Sequence, residues 1–96
     1  MGQTDSLELK NNHMAKFARL FDIDERTQVL LTRELDKEDK EAPYKLKVAT
    51  DYRGIYVAVT YGFKDEAKSD KWFEDYTLEK AKTFHSAIVE SIEGGE

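Results

Sequence analysis

Tyr44-Lys45-Leu46-Lys47-Val48-Ala49-Thr50, then Asp51-Tyr52-Arg53-Gly54, then Ile55-Tyr56-Val57-Ala58-Val59-Thr60-Tyr61-Gly62-Phe63: two runs of alternating character meet across one short polar break. In the first run Tyr44, Leu46, Val48 and Thr50 alternate with Lys45, Lys47 and Ala49. In the second, Ile55, Val57, Val59, Tyr61 and Phe63 alternate with Tyr56, Ala58, Thr60 and Gly62. A period of two is the signature of a strand with one face buried. Asp and Gly at the ends of the break predict a type I-like turn, hence an antiparallel hairpin. A three-residue loop with a bulge would pair Val48 with Ala58 and place Lys45 and Lys47 on the face of Val57 and Val59. A four-residue loop pairs Thr50 with Ile55, Val48 with Val57, Leu46 with Val59 and Tyr44 with Tyr61. A one-residue slip exchanges the faces, so the apolar pattern selects the four-residue loop.

Working outward, Asp36 to Pro43 is a long charged loop. Pro43 fixes its own φ and biases Ala42 toward extended geometry, so a strand begins just after it. Thr27 to Leu35 is a β run with Val29, Leu31 and Leu35 on one face. Lys16 to Ile23 fits two readings. Phe17, Phe21 and Ile23 share a strand face with Arg19 as the exception, while Met14, Phe17, Ala18 and Phe21 share a helix face. The polar Asp24-Glu25-Arg26 that follows favours a strand and a second hairpin. On the C-terminal side, Lys64 to Tyr76 reads as an irregular crossover with a helical turn after Ser69. Thr77 is a helix N-cap, and Leu78, Ala81, His85, Ile88, Val89 and Ile92 form a helical stripe with Phe84 at its edge. Gly94-Gly95 ends it.

The expected fold class is α+β: a four-stranded antiparallel β-meander with a C-terminal helix packed on one face (ββββα), with αβββα as the alternative. The alternative has the topology of double-stranded-RNA-binding domains but lacks their basic, glycine-rich approach to the last helix; Lys64 to Tyr76 is mixed and acidic. Ninety-six residues suit one domain, expected over residues 14–93 with a short tail at 94–96. Residues 1–13 lack a sustained period and read as a leader or weakly structured extension, because His13-Met14 matches the scar of a common cloning site. The expected core places Leu46, Val48, Val57 and Val59 beneath Leu78, Ala81, Ile88 and Ile92.

Twenty acids against fifteen bases give a net charge of −5. That disfavours sequence-blind nucleic-acid binding, which needs a positive footprint. The absence of cysteine rules out disulfides, thiolate metal sites and cysteine nucleophiles. A cytoplasmic setting is expected, with no membrane association, since Met1 to Lys10 carries no apolar run and no stretch reaches the roughly 20 apolar residues of a span.

No constellation assembles a reaction. Asp22, Asp24 and Glu25 read as an acidic turn, because Arg26 and Thr27 interrupt the alternate ligands of a calcium loop. Asp36 to Glu41 is a mixed-sign, solvated loop. His85 lies in the helical stripe and reads as a structural side chain with one hydrogen bond. His13 belongs to the leader. Trp72, Phe73 and Tyr76 read as a plug at the sheet's end. The expectation is a non-enzymatic protein-interaction or assembly module, without cofactor or metal, acting through its open sheet face on a protein partner or a second copy in a homodimer. Leu20, Leu30, Ala49, Tyr56 and Ala58 make that face more apolar than a solvated one needs to be. The alternative is a nucleic-acid-binding accessory protein using Lys45, Lys47, Arg53 and Tyr56.

Overall fold

The computed structural model describes residues 17–94. The expected leader at 1–13 and residues 95 and 96 of the expected tail lie outside the described residues. Four strands, β1 (Ala18–Asp22), β2 (Gln28–Leu35), β3 (Tyr44–Tyr52) and β4 (Ile55–Phe63), precede two helices, α1 (Glu66–Asp75) and α2 (Leu78–Gly94). The strands form one antiparallel sheet in the order β1-β2-β3-β4, a meander. The α+β expectation and its C-terminal helix hold. Ala18 to Asp22 is a strand, so the αβββα alternative falls.

The β3–β4 register differs from the expected one. Tyr52 pairs with Ile55, Thr50 with Val57, Val48 with Val59, Leu46 with Tyr61 and Tyr44 with Phe63. The loop is therefore two residues, Arg53 and Gly54, both left-handed at φ 54° and 78°. A two-residue hairpin of the primed kind requires positive φ at both positions, because that twist matches the flanking strands. The shift from the expected pairing is two residues, which keeps every side chain on its face.

The segment read as an irregular crossover is helix α1. Asp65 caps it, its Oδ1 accepting from the Ala67 amide at 2.9 Å. Ser69, Trp72, Phe73 and Tyr76 recur at i, i+3, i+4 and i+7, one helical face. Ser69, Phe73 and Tyr76 are buried along it. The chain leaves α1 at Tyr76 in an extended conformation. Thr77 then caps α2 through a 3.2 Å bond from the Lys80 amide to its Oγ1, as expected.

Val29, Leu31, Leu46 and Val48 of the central strands are buried with Phe73, Tyr76 and Ala81. Phe21, Ile23, Phe63, Trp72 and Phe84 pack around them. The core is therefore centred on β2 and β3, one strand nearer β1 than expected. Helix α1 packs on β3 and β4, and α2 on β1, β2 and β3. Val57 and Val59 are only half-buried, as are Ile88 and Ile92, while Leu78 is 41% exposed. The inserted α1 explains this: Phe73 occupies the position over the sheet centre that the expected core assigned to α2.

Candidate interaction face

Both helices cover one face of the sheet. On the other, the register aligns four side chains in a row across every strand: Leu20 opposite Leu30, Leu30 opposite Ala49, Ala49 opposite Ala58. Cross-strand neighbours on one face stand about 4.5–5.5 Å apart at Cβ, so the row is continuous. Ala49 is 4% exposed although both described helices lie on the other face. Leu20 is 48% exposed and Leu30 38%. One step along the strands, Tyr56 is 66% exposed. A shallow groove of about 280 Å³ runs beside the row, lined by Leu20, Leu30, Ala49 and Tyr56 with Arg26, Gln28, Thr50 and Asp51. The structure thus brings Leu20, Leu30, Ala49 and Ala58 together, with Tyr56 beside them.

The flanking rows differ in charge. On one side, Ala18, Thr32, Lys47 and Thr60 form the next row. Beyond it lie Glu34, Lys45 and Gly62. On the other side are Asp22 paired with Gln28, and Asp51 paired with Tyr56. The Asp22 carboxylate accepts from Gln28 Nε2 at 2.9 Å.

The far end, at Lys45 and Gly62, is walled by the loop after β2. Asp39 Oδ1 accepts from the Glu41 and Ala42 amides at 3.0 and 3.1 Å, and its Oδ2 accepts from Lys45 Nζ at 2.5 Å. These bonds hold the Asp39 carboxyl below its ordinary range, the lysine contact contributing most. Gly62 permits the loop's approach: a Cβ there would stand 2.9 Å from that of Ala42. Sequence reading took this segment as a solvated loop, because the charge run does not show that Asp39 is tied to the sheet.

The four residues of the nucleic-acid alternative are not gathered. Lys45 is paired with Asp39. Arg53 lies over the Tyr52 ring and within 3.9 Å of Glu93 on the helix side. Lys47 and Tyr56 remain on the open face, separated by the row that contains Ala49 and Ala58.

Other polar groups tie the elements together. Thr50 Oγ1 donates to the Gln28 carbonyl at 3.0 Å, and its single proton is thereby committed. His85 Nδ1, 2.9 Å away, must therefore carry the hydrogen and donate to Thr50, tying α2 to β3. Asp24 Oδ1 accepts from the Arg26 amide at 2.8 Å, which lowers its carboxyl pKa and closes the β1–β2 turn. Trp72 packs against Tyr61, Phe63 and Tyr76, with ring centroids 4.9–6.1 Å apart, and so covers the helix side of β4. Among the described residues, no group of three or more His, Asp or Glu is placed to hold a metal ion, and no helix is long and apolar enough to cross a membrane. Comparison with protein-family models, curated proteins and solved structures finds no match to this chain.

Proposed function

We propose that this chain is a non-enzymatic interaction module that docks a protein on its open sheet face. One observation carries the reading: the Leu20–Leu30–Ala49–Ala58 row runs across all four strands, and among the described residues both helices lie on the other side. Isolated surface leucines are ordinary, but an aligned apolar row rimmed by Thr, Lys, Gln and Asp has the anatomy of an interface core and rim. The alanines keep the centre flat, so a second flat surface can approach closely.

Hydroxyl-radical footprinting reads side-chain exposure at Leu20, Leu30 and Tyr56 directly. Their labelling should fall as the protein is concentrated or mixed with extract of its host. Leu30→Lys combined with Tyr56→Glu should keep the circular dichroism spectrum and abolish that protection. Labelling unchanged under both conditions removes the face as a docking surface.

A further inference from the structure

We infer that the occupant of this face is a second copy of the chain, packed sheet to sheet with its strands reversed about a two-fold axis along the Leu20–Leu30–Ala49–Ala58 row. The inference rests on the docking reading above and adds the partner and its orientation.

With the strands of the two copies aligned, two in-plane two-folds can stack this face on itself. An axis parallel to the strands lays each end of the face over the same end of its partner. An axis along the apolar row lays each strand over its own copy, reversed, so that opposite ends meet. Two observations select the second axis.

The first is charge. The two ends differ in net charge. At one, Lys45 and Lys47 are balanced by Glu34 and by Asp39, the ion-pair partner of Lys45. At the other, Asp22 and Asp51 outnumber Arg26 at the groove's rim. Reversal about the row places Lys47 over the partner's Asp51 twice, because the two residues lie equally far from Ala49 on the same strand. The strand-parallel axis instead sets the acidic end over its own copy, where like charges repel.

The second is shape. The loop wall built by the Asp39–Lys45 pair and by Ala42 over Gly62 stands at the Lys45 end. The strand-parallel axis drives the two walls together. The reversed packing separates them to opposite ends, each clasping the far edge of its partner. It also brings Tyr56 of each copy toward Thr60 of the other, which fills the low, alanine side of the row.

The dimensions fit. Lys47 and Asp51 each lie roughly 7 Å from Ala49 along the strand. Aligned sheets cross at about 30°, which offsets the two residues by about 3–4 Å, within a lysine's reach. Four strands some 4.8 Å apart give a footprint of roughly 500 Å² per copy. That is the size of a weak, reversible association.

Sedimentation velocity of the full chain up to about 1 mM tests this, using Lys47→Glu, Asp51→Lys and the double exchange. Each single substitution replaces two attractions by two repulsions and should weaken dimerisation about ten-fold. The double exchange restores both pairs and should return Kd to the starting value. Circular dichroism checks that each variant is folded. If the dimer is lost in Leu30→Lys but both single exchanges leave Kd unchanged, the face docks a second copy in the other orientation and the reversed arrangement is overturned. A monomer at 1 mM whose open face is nonetheless protected by host extract overturns the second copy as partner and leaves the docking reading standing. A dimer insensitive to Leu30→Lys overturns both.

Discussion

At the scale of single residues, burial departs from what alternation implies. Val57 and Phe73 are both apolar and both lie between sheet and helices, yet only Phe73 is fully enclosed, under 2% exposed. Phe73 also supplies the ring over which the guanidinium of Arg33 sits, 4.8 Å from the centroid, while Arg33 pairs with Asp70. Phe73→Ala should therefore lower stability by about 3–5 kcal/mol, through lost transfer energy and an unfilled cavity. Val57→Ala should lower it by less, about 1 kcal/mol, since its side chain is only partly buried. Urea denaturation of the two variants checks the ordering. Equal losses would mean that β4 is as deeply covered as β3.

At the scale of elements, α1 has an anchored C-terminus. Arg19 broke the apolar pattern of β1 in the sequence, and the structure accounts for it. Its Nη1 reaches the carbonyls of Phe73, Glu74 and Tyr76 at 2.7, 3.2 and 2.9 Å. These are groups that a helix end leaves without intrahelical partners. The same guanidinium lies 5.0 Å from the Phe21 ring centroid, so an inward-facing cation is both paired and packed. Arg19→Met keeps the packing volume but removes the donor. It should destabilise the protein by about 1–3 kcal/mol, the range for leaving part-buried acceptors unsatisfied. Hydrogen exchange should quicken in α1 more than in α2. Uniform quickening across both helices would show that Arg19 does not act through the α1 terminus.

At the scale of the whole molecule, the charge excess and the long loop predict how stability responds to pH. The Asp39 carboxyl is held below its ordinary range, first by Lys45 and then by the Ala42 and Glu41 amides. A depressed folded-state pKa contributes stability that is present above the unfolded value and lost as pH falls through the folded one. The difference in stability between the unmodified chain and Asp39→Asn should therefore stay constant from neutral pH down to about pH 4 and shrink below it. Thermal melts at a series of pH values measure this. The opposite limb belongs to Tyr76, whose phenol is raised first by burial and then by Tyr61. Its contribution is present below the ordinary tyrosine range and fades as pH rises through the folded value.

The sequence by itself determined β2, β3 and β4, their faces and the last helix, and left β1 between strand and helix. A period of two is local, and it assigns Leu46 and Val48 to one side and Leu30 and Ala49 to the other without knowledge of any neighbour. The composition of the candidate face was legible for the same reason. Register was not, because a slip of two residues leaves the apolar pattern unchanged; only the left-handed pair Arg53-Gly54 separates the two-residue turn from the four-residue one. Helix α1 announced itself by the Asp65 cap and the spacing of Ser69, Trp72, Phe73 and Tyr76, but its many polar residues masked that stripe. The alignment of Leu20, Leu30, Ala49 and Ala58 into one row, the wall at Gly62 and the use of Arg19 were decided only in the tertiary structure. Each depends on segments distant in the chain meeting at contact distance, Leu30 beside Ala49, Ala42 beside Gly62 and Arg19 beside Phe73, and local propensity does not encode such meetings.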